Sequence, residues 1–511
     1  MKVALAVGDF LERAATVYGD RVGVVDEPGA PGGSLGELSW LRIRELARAQ
    51  ACRLDELGVA QGERVAILSQ NAARLFVSFY GVSAFGRVLV PINFRLNAEE
   101  IAFIVEHSGA SVLLFDPELA DNVTGIDVKH KLMLGSDSDD ELYKFDTEPE
   151  PWIANEDATA SINYTSGRTA RPKGVELTHR NNWLNATLFG LHAGVSDRDV
   201  YLHTLPMFHA NGWGMPFAVT GMGGKHIVLR KIDGAEILSR IAKYGVTLLC
   251  CAPAVVAAIL EAARQIDGPV PGAGAVRVIV AGAPPPTSTI EAVETELGWE
   301  LIQIYGLTET APLLTMNRSR AEFDDLSPRE RAQRLGRAGA PALSVEIAVD
   351  AEGEILARGN VVMAGYWNQP DVSKEALADG WFHTGDGGYL DEDHYLTISD
   401  RKKDVIISGG ENVSSIEVED ALFGHEAVAE VAVIGVPDIR WGETVKALVV
   451  LGVGHEASEQ DLIAFAKTKL AHYKCPTSVE FRDELARTAT GKLQKFKLRE
   501  PYWSAEGRQI G

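Results

Sequence analysis

Short apolar runs alternate with longer amphipathic stretches early in the chain. Val65-Ala-Ile-Leu68, Val88-Leu-Val90 and Ser111-Val-Leu-Leu-Phe115 read as buried strands. Between them, residues 71–85 and 97–106 read as helices, the second opened by Asn97 and Glu100 in a capping pattern. Strand and helix in alternation predict a mostly parallel sheet covered by helices. The rhythm returns with a strand at 276–280, a helix capped by Ser288 and Glu291, and a strand at 301–305. From about residue 401 the character changes. Strands are expected at 404–407, 431–436, 445–451 and 478–481, with helices opened by the pairs Ser414/Glu417 and Ser458/Asp461. The pattern divides the chain into a large α/β part, 1–400, and a small α+β part, 401–511, with 400–404 as a hinge. Residues 136–157, acidic and carrying Pro149 and Pro151, read as a solvated connection.

Composition narrows the classes. The chain has 511 residues, 46% hydrophobic and 23% charged, enough apolar material for a sizeable core and unlike a disordered chain. Its net charge of −22 argues against nucleic acid or an anionic membrane as a general partner. Four cysteines, none at Cys-x-x-Cys spacing, make neither a disulfide framework nor a cysteine zinc site and point to a reducing compartment. The N-terminus reaches Asp9 too soon for a signal peptide. The longest stretch without Asp, Glu, Lys or Arg, 201–224, holds two His, an Asn, two Pro and five Gly, so no integral membrane segment is expected. A cytoplasmic protein follows.

Five segments carry candidate chemistry. Tyr164-Thr-Ser-Gly-Arg-Thr-Ala-Arg-Pro-Lys-Gly174 offers backbone N–H groups and a lysine to an anion, without the spacing of a P-loop. Gln303-Ile-Tyr-Gly-Leu-Thr-Glu-Thr310 ends a strand, and Glu309 beside Thr308 suits a hard cation such as Mg²⁺. In Trp381-Phe-His-Thr-Gly-Asp386, Asp386 follows a Gly turn and can accept two ribose hydroxyls. Leu485-Ala-Arg-Thr-Ala-Thr-Gly-Lys492 is a polar loop near the C-terminus, and Pro206-Met-Phe-His-Ala-Asn-Gly-Trp-Gly214 holds an isolated histidine. Each also has an ordinary structural reading: a polar turn, an Asx cap, a solvated loop, a semi-buried histidine.

Taken in order, the segments are specific. With Gly282-Ala-Pro284, Thr384-Gly-Asp386, Asp400-Arg401 and Gly491-Lys492 they resemble the adenylate-forming superfamily of acyl-CoA synthetases, nonribosomal adenylation domains and beetle luciferases. The resemblance runs from about residue 8 to 500, and the 206–214 segment looks most like the short- and medium-chain acyl-CoA synthetases.

The resemblance implies ATP-dependent activation of a carboxylic acid as an acyl-adenylate, with release of pyrophosphate, then transfer to coenzyme A. The acid expected is a medium-chain fatty acid or another apolar or aryl acid. It implies that Thr165, Ser166, Gly167, Arg168, Thr169 and Lys173 hold the phosphates of ATP, and that Glu309 and Thr165 ligate Mg²⁺ with Thr308 near the α-phosphate. Gly282, Ala283, Pro284, Tyr305 and Gly306 frame the AMP moiety, and Asp386 and Arg401 take the ribose. Lys492 is the expected catalyst of adenylation, Lys403 the hinge, and Gly409 and Gly410 the passage for coenzyme A. His209, Asn211, Gly212, Trp213, Gly214, Ala281 and Ala311 line the acid pocket, with His209 as a gate to the thiol tunnel. Such a protein takes small molecules as partners and is compatible with a homodimer. Three residues depart from the pattern: Arg168 replaces a small hydroxyl residue, Ala170 a frequent Gly, and Ala486 a frequent Pro. Delivery of the acyl group to a carrier protein or an amine stays open, as does a non-catalytic nucleotide sensor of the same fold.

Overall fold

The computed structural model describes residues 1–144, 147–165, 172–401, 404–408, 411–438, 441–487 and 493–503, with backbone only for Asp400, Arg401 and Asn412. Among these, the strands form four sheets. The largest has nine strands; its centre, from Glu300–Gly306 through Arg277–Val280, Leu248–Cys251 and Val200–His203 to Lys225–Val228, is parallel. Antiparallel strands close both of its ends. The seven-stranded sheet is parallel through Thr159–Thr165, Val88–Ile92, Arg64–Leu68, Ala110–Phe115 and His130–Met133. Its near edge is the antiparallel pair Lys173–Thr178 and Gly365–Tyr366. Residues of the parallel strands, such as Leu89, Val90, Leu113 and Leu114, are buried on both faces, which explains why they read as unbroken apolar runs.

A third, four-stranded sheet is wholly antiparallel: Val345–Val349, Glu354–Gly359, Phe382–Leu390 and Leu396–Arg401. The sequence pattern gives no hint of it: three of its strands have only five or six residues, and the nine-residue Phe382–Leu390 carries Gly385, Gly387 and Gly388 in place of an apolar alternation. The three sheets share one core. Val175 and Leu177 of the second sheet, Leu248, Ile279 and Ile302 of the first, and Ile355 and Phe382 of the third pack around the helix His179–Ala193. The chain's last part has its own sheet, with Glu411–Val413, Ile406–Ser408, Gly442–Leu451 and Val428–Asp438 in order and Ser478–Phe481 parallel to Gly442–Leu451. Val418, Leu422, Val433, Ala447 and Leu462 form its separate core. A large α/β part followed by a small α+β part is therefore the architecture.

Three local expectations need correction. The acidic stretch after residue 136 is not a solvated connection throughout: Ser136–Tyr143 is a helix whose Leu142 and Tyr143 are buried, and Asp139 takes both arms of the buried Arg74 at 2.8 and 2.6 Å. The helix near 288 begins at Thr287 after Pro286, so Ser288 lies inside it and caps nothing. Its first N–H is instead taken by Asp420 of the helix Ser415–Phe423, at 2.9 Å. The strand expected at 404–407 is Ile406–Ser408.

Candidate active site

The phosphate-loop segment is the connection of a β-hairpin. Thr159–Thr165 pairs antiparallel with Lys173–Thr178, and Thr165 stands opposite Lys173. The two flank the mouth of the 166–172 connection, of which Ser166, Gly167, Arg168 and Thr169 lie outside the described residues. Lys173 Nζ sits 4.8 Å from the centroid of the Tyr366 ring. The hydroxyl of Tyr366 in turn donates to Glu309 Oε1 at 3.0 Å. One tyrosine thus stands between the hairpin's cation and the carboxylate proposed from sequence for Mg²⁺.

Glu309 lies in the single turn Thr308–Thr310 that follows the strand Glu300–Gly306. Thr310 Oγ accepts from the Leu307 N–H at 3.0 Å and donates to the Pro312 carbonyl at 2.6 Å, which folds the turn back on itself. Gly306 is required for that: a Cβ there would fall 1.6 Å from the Pro312 oxygen. Val280 pairs with Gln303, so the segments leaving the two strands, 281–284 and 305–309, emerge side by side at the carboxyl end of the sheet. Ligands of open α/β sheets bind at such ends.

Tyr305 and Asp386, assigned from sequence to the same nucleoside, meet: the tyrosine hydroxyl donates to Asp386 Oδ2 at 2.9 Å, and both residues are buried. Asp386 does not follow a turn. It lies within the strand Phe382–Leu390, just after Gly385, whose φ of 71° marks a local irregularity. Gly385 donates its N–H to Glu354 Oε1 at 2.8 Å, and Asp386 donates its own to Thr384 Oγ at 3.1 Å. On the neighbouring strand, Arg401 is paired opposite Asp386.

The 206–214 segment ends in a left-handed turn. Ala210, Asn211, Gly212, Trp213 and Gly214 all have positive φ, from 37° to 78°. Asn211 and Trp213 are buried and His209 half-buried, its N–H on the Pro206 carbonyl at 3.1 Å. Trp213, Ala281, Tyr305 and Ala311 belong to one buried cluster. Two further histidines, His203 and His226, stack 5.2 Å apart and share a 3.0 Å hydrogen bond. Burial pushes His203 down to about 3 and His226 well below its ordinary value, so both are neutral near pH 7.

Lys403, Gly409, Gly410 and Lys492 lie outside the described residues. Sequence reasoning missed Tyr366 and Glu354, which hold Glu309 and the backbone beside Asp386. Each acts from a segment distant in sequence, and neither stands in a local pattern. The donor set fits Mg²⁺. A carboxylate at Glu309 and hydroxyls at Thr165 and Thr308 are hard oxygen donors, and Mg²⁺ is ordinarily held by one or two carboxylates together with substrate phosphates.

A hairpin with Lys173 at its mouth, a strand-end carboxylate at Glu309 and a buried Tyr305–Asp386 pair thus occur together in a chain with a small second part. Residues 11–367 match the AMP-binding enzyme family and residues 417–492 the AMP-binding enzyme C-terminal domain, and the chain belongs to that family. It is 37% identical to an acetate–CoA ligase of Humulus lupulus over 98% of this chain and 94% of the relative. It is 36% identical to a peroxisomal acetate/butyrate–CoA ligase of Arabidopsis thaliana, over 96% and 93%. The solved structure of an anthranilate CoA ligase bound to anthranoyl-AMP superposes with a TM-score of 0.87 at 27% identity, covering 98% of both chains. Within the family the chain is an acyl-CoA synthetase: an acid–CoA ligase that uses ATP and Mg²⁺ and passes through an acyl-adenylate. No described helix is long and apolar enough to cross a membrane.

Proposed function

We propose that the site residues divide the two half-reactions between them, and that the acid is a short one with an uncharged tail rather than the medium-chain acid expected from sequence. In the first half-reaction a carboxylate oxygen attacks the α-phosphorus of ATP, and the bond to the bridging oxygen breaks to release pyrophosphate. Such chemistry depends on positioning and charge neutralisation. Thr165, Lys173 and the hairpin connection carrying Ser166, Gly167, Arg168 and Thr169 hold the leaving phosphates. Glu309, with Thr308 and Thr165, holds Mg²⁺, which when bound neutralises phosphate charge. Asp386, steadied by Tyr305, accepts the ribose hydroxyls with Arg401 beside it, and Gly282, Ala283, Pro284 and Gly306 border the base. The observation that carries this is the chain Lys173–Tyr366–Glu309, which brings the hairpin cation to the strand-end carboxylate.

Lys492 supplies the cation for adenylation, and rotation about Lys403 replaces it with the Gly409–Gly410 passage through which the thiol of coenzyme A reaches the acyl carbon and displaces AMP. The boundary between the two parts, expected from sequence at 400/401, falls after the strand Leu396–Arg401, whose last residue still pairs with Asp386. Four buried free cysteines support a reducing compartment, the cytoplasm.

The acid reading rests on two supports. Trp213 closes the left-handed turn with its bulk held in the core, and the two named relatives act on acetate and on acetate or butyrate. Once a chain outgrows an apolar pocket, each added methylene changes kcat/KM by about tenfold or more. Thioester formation measured over the straight-chain acids from acetate to decanoate should therefore peak at the short end and fall steeply. A maximum at octanoate or beyond, or with an aromatic acid, would overturn the short-acid reading.

A further inference from the structure

Beneath the left-handed turn lies a cluster of buried amides. Along the strand Thr159–Thr165 the two-residue repeat puts Ser161, Asn163 and Thr165 on one face, opposite Ala160, Ile162 and Tyr164. Ser161 is 1% exposed and Asn163 2%, an unusual pair of residues for a core strand. Ser161 Oγ lies 2.7 Å from Asn211 Nδ2, 3.1 Å from Asn163 Nδ2 and 3.5 Å from Asn182 Nδ2. A hydroxyl has two lone pairs and one proton. The amide oxygens of Asn163 and Asn211 are buried with no other partner among the described residues. Ser161 itself is therefore saturated when two amides donate to it and a third turns its oxygen to the serine proton.

On the other flank, fully buried Asn185 donates to the Trp213 carbonyl at 3.4 Å and accepts from the Leu313 N–H at 3.1 Å. Gly214 is pressed onto the same amide: a Cβ there would fall 2.3 Å from Asn185 Nδ2. Between these two anchors runs the left-handed turn. Left-handed backbone is unfavourable for Ala210 and Trp213, and consecutive residues hold it only where the surroundings over-determine it.

We propose that Ser161 and Asn185 are positioning residues that lock this turn, and so set where Trp213 stands against the acid. They determine acid selectivity without touching the acid. The inference rests on the reading that Trp213 borders the acid, and the test separates the two.

The full chain and its Ser161→Ala, Asn185→Ala and Trp213→Ala variants are compared for thioester formation with butanoate and octanoate, with KM for acid and ATP measured separately. Ser161→Ala should raise KM for butanoate by about fivefold or more while moving KM for ATP by less than about twofold. It should also shift the octanoate-to-butanoate ratio of kcat/KM in the same direction as Trp213→Ala, and Asn185→Ala should do likewise. Ser161→Cys, which keeps the volume but hydrogen-bonds weakly, carries the same readout if Ser161→Ala fails to fold. A folded Ser161 variant with lowered thermal stability but an unchanged acid ratio and unchanged KM values would overturn the proposal, since a merely structural cluster behaves that way. An unchanged ratio in Trp213→Ala would instead refute the acid-site reading on which it rests.

Discussion

Gly306 shows how much of the site a single residue sets. Its missing Cβ lets the chain fold back so that the Pro312 carbonyl approaches the strand end, and Thr308 and Glu309 are aimed by that return. Gly306→Ala must push backbone against backbone. It should destabilise the protein by about 1–3 kcal/mol and, by misplacing Glu309, lower adenylation by about 100-fold. Urea unfolding together with acid-dependent ATP turnover checks both. Near-normal turnover in the folded variant would show that the turn does not depend on the glycine. At this scale the sequence was most legible where a residue type fits one chemistry. Glu309, Asp386, Tyr305 and Lys173 were all named from their motifs, and the contacts join them in two pairs, Tyr305 with Asp386 and Lys173 with Glu309 through Tyr366. Tyr366, Glu354, Ser161 and Asn185 were not legible, because each works through a partner distant in sequence. The run of Asn181, Asn182 and Asn185 in the helix His179–Ala193 was the available signal, since asparagine is a poor helix former that needs a reason to be there.

Elements were legible where their ends are self-contained. Asn97/Glu100 and Ser458/Asp461 form complete capping boxes, and Ser414 accepts from the Glu417 N–H. Ser288/Glu291 matched the same pattern and failed. Pro286 stands before the helix with no side chain to cap it, and Asp420 of another helix supplies the acceptor, taking the Thr287 N–H at 2.9 Å and its hydroxyl at 3.3 Å. A cap donated across 133 residues leaves no local trace. This bond also fastens the small α+β part to the helix that follows the Gly282–Pro284 segment. Asp420→Ala should lower stability by about 0.5–1 kcal/mol, the low end for a lost cap because the bond is exposed, and Asp420→Asn should recover most of it. Thermal melting of the two variants measures this, and identical melts for wild type and Asp420→Ala would show that the cap contributes nothing. The antiparallel sheet 345–401 escaped the sequence reading for a related reason. Its strands are specified by pairing with one another and by the shared core, rather than by their own alternation.

At the scale of the whole molecule, three sheets converge on one core; the hairpin mouth and the Glu309 turn lie at strand ends, and Asp386, inside its own strand, is met by Tyr305. The small part, with a core of its own, brings the lysine and the glycine passage proposed for the two half-reactions. Order along the chain was readable because the family's motifs keep their sequence positions; how the sheets meet was not, since it depends on contacts no window of sequence contains. The central claim is that acid activation precedes, and does not need, the thiol. Exchange of labelled pyrophosphate into ATP, with Mg²⁺ and butanoate but no coenzyme A, tests it most directly. The account predicts acid-dependent exchange in the wild type, lost in Lys492→Ala. Exchange that appears only when coenzyme A is added, or that persists unchanged in Lys492→Ala, would contradict it.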